Sequence, residues 1–185
     1  MSRLAELKPE SLNQEQRAIY DSIISGPRRS VPAPLTVWLH RPELARHAQA
    51  LGSYCRYGTS LSPRLSELAI MAMGRHWLAE YEWETHKPHA LKAGLSEETL
   101  NAIRDGKEPA FSNRDEAVVY TFFTKLHADR KVSDELYAEA VELLGEDGVI
   151  DLIGIIGYYT LIATTIQAFE LSRTHCKSKE LPDSL

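Results

Sequence analysis

Between Pro63 and Gly94 the chain reads PRLSELAIMAMGRHWLAEYEWETHKPHALKAG, and acidic, aromatic and histidine side chains crowd into a few turns of it. Glu82 and His86 stand four residues apart. On a helix that spacing puts them one above the other on a single face, where a carboxylate orients an imidazole and stabilises its charged form. His89 extends the stripe by another turn. Histidine titrates near neutral pH, so such a couple suits proton transfer. Two other readings stay open. A Glu/His pair at this spacing also occurs as a solvated ion pair, and Glu82, His86 and His89 together offer the carboxylate and imidazole donors of a metal site. Pro88 is expected to bend the helix just where His89 would have to aim, and there is no His-Glu-x-x-His pattern. The expectation is therefore a site without a metal.

Helices must position these groups. The chain is rich in Ala, Leu and Glu and shows no period-2 strand between turn signals, so the expected class is all-α. Asn13 and Gln16 are spaced as a capping box and open a first helix that should end at Gly26-Pro27. Arg28 to Thr36, with Pro32 and Pro34, reads as an extended connector over the surface. Pro42 starts a helix from Glu43 to about Tyr57, and Ser62-Pro63 opens the next. In that one Leu65, Leu68, Ala69, Ala72 and Met73 form an apolar stripe with Glu67 close to its edge. The helix carrying the Glu/His couple should run from about Glu80 to Ala93, with a short helix from Ser96-Glu97-Glu98 after it.

Lys107 to Asn113 reads as a loop between two helical halves. Helices are expected over Arg114 to Ala128, Ser133 to Leu144 and Asp147 to Leu171, making about eight in all. The last is apolar on most of its circumference and must be covered on several sides, by this chain or by a second copy. Its longest apolar run, Leu152 to Ile166, is short for a bilayer and is flanked by Asp151 and by Gln167 and Glu170, so it reads as a buried core helix.

Three runs within the same region, Arg64-Leu65-Ser66-Glu67-Leu68-Ala69-Ile70, Glu80-Tyr81-Glu82-Trp83-Glu84-Thr85-His86 and Ala90-Leu91-Lys92-Ala93-Gly94-Leu95-Ser96, resemble the core signature of carboxymuconolactone decarboxylase-family proteins in the alkylhydroperoxidase D-like superfamily. The likeness extends upstream to Leu39-His40-Arg41-Pro42-Glu43-Leu44 and downstream over Leu152 to Phe169, with Gly157-Tyr158-Tyr159, so it covers about Val31 to Phe169. It implies an alkylhydroperoxidase D-like helical bundle, a single domain over 1–185 with its core at 31–171, and self-association as a dimer, trimer or hexamer. The peroxidase branch of that superfamily has a glutamate, a Cys-x-x-Cys pair and a histidine. Laid on this chain, the glutamate is Glu67 and the histidine His86, while Ala79 and Glu82 occupy the thiol positions. Neither Cys55 nor Cys176 lies in a matching motif, so thiol-cycling peroxide reduction is not expected.

What the resemblance implies instead is the namesake reaction, loss of carbon dioxide from a carboxylated unsaturated lactone that carries its own electron sink. The expected roles are His86 as general acid or proton shuttle, Glu82 as its orienting carboxylate, and Glu67 as a second acid/base or positioning group. Arg75 and His76 are candidates to meet a substrate carboxylate, and Tyr159 to line the pocket. Glu67 can equally be a buried structural acid, and His40, His47, His76, His127 and His175 read most simply as surface or core histidines. A non-catalytic small-molecule binding protein of the same fold is the rival reading, because a shared fold does not fix a reaction.

The bulk properties agree with a small-molecule partner. At 185 residues and 43% hydrophobic the chain can bury one ordinary core, and its net charge of −5 is spread without a long run of one sign. Neither nucleic acid nor a membrane surface is an expected partner. The opening MSRLAELKPE has no apolar core of a signal peptide, and two cysteines fall short of a disulfide framework, so a reducing cytoplasm is the expected setting.

Overall fold

The helix from Pro63 to His76 is buried on every side: Leu65 through Gly74 are ten consecutive residues shielded from solvent. The apolar stripe read from the sequence is thus only part of its buried surface, since Ser66, Ile70 and Met71 are enclosed as well. The other elements arrange themselves around it. A computed structural model describes residues 3–5 and 7–184. Among the described residues there are eight helices of six residues or more, two single turns and no strand. They are α1 (Gln14–Ser25), α2 (Ala33–Trp38), α3 (Pro42–Tyr57), the central α4 (Pro63–His76), α5 (Glu80–Lys92), α6 (Glu97–Arg104), α7 (Arg114–Asp129) and α8 (Asp134–Phe169), with a final turn, α9 (Ser172–His175). The all-helical expectation holds.

Local chemistry sets most of the boundaries. Asn13 and Gln16 close a reciprocal capping box at α1, and Ser62, Ser96 and Ser133 each accept the backbone N–H three residues on. These bonds satisfy amides that a helix start leaves unpaired. One expectation needs correction. The segment expected to be extended through Thr36 turns helical at Ala33, because Pro34 sits in the first turn, where a missing N–H costs nothing, and burial of Leu35 and Trp38 favours the coil. The two helices expected on either side of Gly145 are present, separated by a kink at that residue, whose φ of 75° and ψ of 165° suit glycine; α8 runs across the kink.

α4, α5, α7 and α8 form the centre of the bundle, and α3 lies along α8. One apolar cluster reaches from Ile19 to Leu181. By length and composition α8 could cross a membrane, yet most of its apolar window is buried against the other helices. Its buried Asp151 accepts from the Tyr54 hydroxyl at 2.5 Å and from Ser60 N and Oγ at 2.7 and 2.8 Å, which ties the α3–α4 connection to α8. Outward-facing Leu44 and Leu51 on α3 and Ile150, Ile153 and Leu161 on α8 remain exposed.

Two contacts prepare the site. The turn from α4 to α5 passes through Leu78 in the left-handed region (φ 51°), and Gln167 from α8 holds it by donating to the carbonyls of Trp77 and Leu78 at 2.5 and 2.8 Å. A tight reversal results, so α4 and α5 pack closely. On the other side, α3 approaches Tyr158 of α8 so closely that a methyl group on Gly52 would lie 2.1 Å from the phenolic oxygen. Only glycine fits there. Replacing it, Gly52→Ala, should destabilise the fold by about 1–3 kcal/mol through overpacking; an unchanged thermal midpoint by circular dichroism would contradict the packing of Tyr158 against α3.

Candidate active site

The reversal brings the middle of α4 against the middle of α5. Glu67 from α4 and His86 from α5 meet at 2.8 Å, between carboxylate Oε2 and ring Nδ1. Glu82, one turn before His86 as its spacing requires, contacts the other ring nitrogen, Nε2, at 2.9 Å. The three side chains are 5, 3 and 6% exposed for Glu67, Glu82 and His86. Arg56, in the last turn of α3, pairs with Glu67 Oε1 and completes the cluster. The Tyr159 ring stands edge-on to His86, with centroids 5.3 Å apart.

Burial by itself would drive the His86 proton off. The charge of Glu82 and the hydrogen bonds to Glu67 and Glu82 outweigh that and hold the imidazole pKa above its ordinary value. Glu67 is the mirror case: burial pushes its pKa up, but the bond from His86 and the Arg56 charge prevail and hold it down. The favoured state is an imidazolium donating from both nitrogens to two carboxylates. Arg56 Nη1 also lies 3.1 Å from His86 Nδ1. That contact conflicts with Nδ1–H donation, since an N–H nitrogen cannot accept; the shorter, charge-matched bond to Glu67 describes the imidazolium. Once the proton has crossed to Glu67, Nδ1 is free to accept from Arg56. The set can therefore hold a proton and relay it.

A cavity of about 160 Å³ opens on this set, bordered by Glu82, His86 and Tyr159 together with Arg28, Arg56 and Tyr158. A larger one of about 810 Å³ lies on the Glu67 side and shares Arg56, Tyr57 and His89 with the first. Burial pushes the Tyr158 phenol up to about 12, with the neighbouring Arg28 charge acting against the rise. Tyr159 is raised well above its ordinary value, by burial first and then by the charge of Glu82.

Of the residues singled out in the sequence, the structure brings together Glu67, Glu82, His86 and Tyr159. It does not bring Arg75 or His76. Both stand more than two turns along α4 from Glu67, roughly 12 Å of helical rise. Arg75 Nε donates to the Arg104 carbonyl at 2.8 Å, and His76 packs among Trp77, Phe123 and His127. Neither borders either cavity. Arg28 and Arg56, in contrast, were not visible as site residues. Arg56 looked like an ordinary basic residue at a helix C-terminus, and Arg28 fell in a stretch read as surface connector.

The other chemistries fare differently. α5 runs through Pro88 without ending, yet His89 does not join a chelating set: its ring is 6.0 Å from that of His86, and an imidazolium has no lone pair for a metal. No group of three His, Cys, Asp or Glu side chains among the described residues is placed to hold an ion. The positions of the absent thiols are filled by Ala79, fully buried at the start of α5, and by Glu82. Cys55 borders the larger cavity and Cys176 follows α9, and burial pushes both thiols up to about 11, far from the reactive thiolate.

The opposing shifts set a pH window. His86, with its folded pKa raised, contributes fully below its ordinary 6.5 and loses that contribution as pH rises through the raised value. Glu67, with its folded pKa lowered, contributes fully above its ordinary 4.5 and loses it as pH falls through the depressed value. Stability from the cluster should therefore be greatest between these ordinary values and decline on both sides. In His86→Gln the alkaline decline should disappear and the protein should lose about 3–5 kcal/mol, because two buried carboxylates lose their partner. Thermal midpoints across pH for parent and variant check this, and superimposable profiles would refute it.

Residues 42–119 match the model of the carboxymuconolactone decarboxylase family. No curated protein matches the chain. The matched stretch runs from the start of α3 into α7 and contains Arg56, Glu67, Glu82, His86 and His89, while Arg28, Tyr158 and Tyr159 lie outside it. Over residues 42–119, which hold the charged cluster in an all-helical fold, the chain is similar to the carboxymuconolactone decarboxylase family.

Proposed function

We propose that the chain is a cofactor-independent lyase that decarboxylates a small carboxylated unsaturated lactone or a related intermediate of aromatic breakdown. The observation that carries the reading is the His86 imidazole gripped by Glu67 on one nitrogen and Glu82 on the other, at the wall of a small cavity. At about 160 Å³ that cavity is below the ~300–1,000 Å³ of sites that take drug-sized ligands, which favours a compact substrate.

In the proposed reaction the bond between the ring carbon and its carboxylate breaks, carbon dioxide leaves, and the electron pair delocalises into the lactone carbonyl as a dienolate. A proton then goes from His86 Nε2 to carbon, the pair returns to form the new C–H bond, and solvent resupplies the proton. Glu82 holds the ring for that transfer. Glu67, itself fixed by Arg56, keeps the imidazole charged between turnovers and accepts the Nδ1–H hydrogen bond throughout, so that the ring left after transfer is neutral imidazole with its proton on Nδ1. The imidazolium and Arg56 also stabilise the developing oxyanion from an interior where charge acts strongly.

Incubating the protein with carboxymuconolactone and related carboxylated lactones, while following ultraviolet absorbance and released carbon dioxide, tests the reading. Turnover should fall by about 10²–10⁴-fold in His86→Gln, the usual range for a general acid. No carbon dioxide from any of these lactones, or undiminished release by the variant, would overturn it.

Self-association is part of the same reading. The exposed apolar residues of α3 and α8, two helices that pack on each other, are its support. In sedimentation velocity the parent should run as an oligomer and the double variant Leu51→Glu with Ile153→Glu should run as a monomer; a monomeric parent would defeat the idea.

A further inference from the structure

Among the described residues four shielded side-chain atoms lack a hydrogen-bond partner: Trp77 Nε1 stands alone at the α4–α5 turn, and the other three gather at one place. Nε and Nη2 of Arg28 are fully shielded and donate to no protein acceptor at full hydrogen-bond geometry, and the Tyr158 hydroxyl, which lies beside this guanidinium, has no partner of full geometry either. Both residues border the 160 Å³ cavity on which Glu82 and His86 also open. Tyr158 is 2% exposed, and its ring is boxed in by Trp38 and Tyr159 with centroids 6.3 and 5.3 Å away. Arg28 lies over the Tyr57 ring at 5.9 Å.

A buried guanidinium with unsatisfied donors is costly, and so is a buried phenol without an acceptor. Folds keep such groups where something else satisfies them. The two orphan atoms of Arg28 form one edge of its planar fork, the edge whose paired N–H groups match the two oxygens of a carboxylate. The hydroxyl of Tyr158 adds a third donor. Charge points the same way: Arg28, Arg56 and His86 face only Glu67 and Glu82, which leaves one positive charge unmatched.

We propose that the Nε/Nη2 edge of Arg28 and the Tyr158 hydroxyl form an anchoring site for one carboxylate of a small ligand, the one that survives the reaction, which they hold in the cavity beside His86. The inference deepens the lyase reading and rests on it for the identity of the cavity as a substrate site. It assigns binding, with no bond made or broken, to residues outside the family's matched stretch. A ligand seated this way neutralises the surplus charge and presents its ring to the imidazole.

The test uses 2-furoate, a planar ring acid without a reactive lactone, and its neutral isostere 2-furamide, measured by calorimetry on the full chain. Furoate should bind the parent and furamide should bind about tenfold or more weakly. Arg28→Gln should lower furoate affinity about ten- to a hundredfold, with Arg28→Lys between, because an ammonium keeps the charge but loses the fork. Without ligand, Arg28→Gln should melt no lower than the parent, whereas an arginine kept for structure would lower the midpoint. Should Arg28→Gln fail to fold, Tyr158→Phe decides: severalfold weaker furoate binding supports the anchor, and unchanged affinity overturns it. Absent furoate binding at millimolar concentration, equal affinity for the amide, or equal affinity in Arg28→Gln also overturns it. Furoate is not turned over, so failure here is distinguishable from failure of the lyase reading, which shows as absent carbon dioxide release.

Discussion

An imidazole held between two carboxylates inside a helical core is an arrangement that water would dissolve and that apolar surroundings would forbid without near-complete pairing. Each ion pays heavily for leaving solvent, and the mutual attraction offsets that loss only where distances and directions are right. With Glu67 at 2.8 Å and Glu82 at 2.9 Å the geometry meets that condition. Arg56 is as necessary as the histidine, because a second carboxylate beside one imidazolium would otherwise leave negative charge buried and unmatched.

Much of the surrounding fold can be understood as what keeps these atoms at those distances. α4 must be enclosed all round so that Glu67 cannot reach water, and the Leu78 turn must be tight enough for α5 to return directly onto it. The C-terminal segment then secures α5 from outside. Buried Glu80 accepts the backbone N–H groups of Glu180 and Leu181 at 2.8 and 2.9 Å, Glu84 accepts those of Lys177 and Ser178, and Lys87 pairs with Glu180. Three of the helix's polar residues thus bind the tail and two bind each other and α4. Even the low amphipathicity of EYEWETHKPHALK has a reason: both its faces have polar work to do.

That division explains which features could be read from the residues alone. Glu82 and His86 were legible because their meeting is intrahelical, and four residues of helix bring any such pair together. The caps at Asn13, Ser62, Ser96 and Ser133 were legible for the same reason, being contacts of three residues' span. The meeting of Glu67 with His86 depends on how two helices cross, and it came only through family resemblance. Arg56 had no local signal, since a basic residue in a last helical turn is unremarkable. Arg75 and His76 were drawn in by closeness in sequence to Glu67, but helical rise carries them away from it, and their polar groups are engaged by Arg104 and by an aromatic cluster. The early part of the connector misled in the opposite sense: Pro32 and Pro34 read as surface chain, whereas Leu35 and Trp38 had an apolar surface to bury and Trp38 a buried Thr165 to bond at 3.0 Å.

The matched family stretch and the cavity do not coincide, and the mismatch has a physical consequence. Residues 42–119 contain the proton-holding cluster, which any substrate protonated at carbon would need in much the same form. The far wall comes from elsewhere: Arg28 from the segment after α1, and Tyr158 and Tyr159 from α8. In the proposed reaction a substrate is placed by that wall, because the carboxylate that is retained or lost is distinguished by which one the wall grips and which one is left beside the imidazolium. A guanidinium gripping the departing carboxylate would stabilise the ground state and slow its loss. One gripping a neighbouring oxygen-bearing group instead leaves the scissile carboxylate free to depart as neutral carbon dioxide. In the proposed enzyme Arg28 therefore serves best by holding a part of the substrate that survives the reaction, with the reacting carbon turned toward His86.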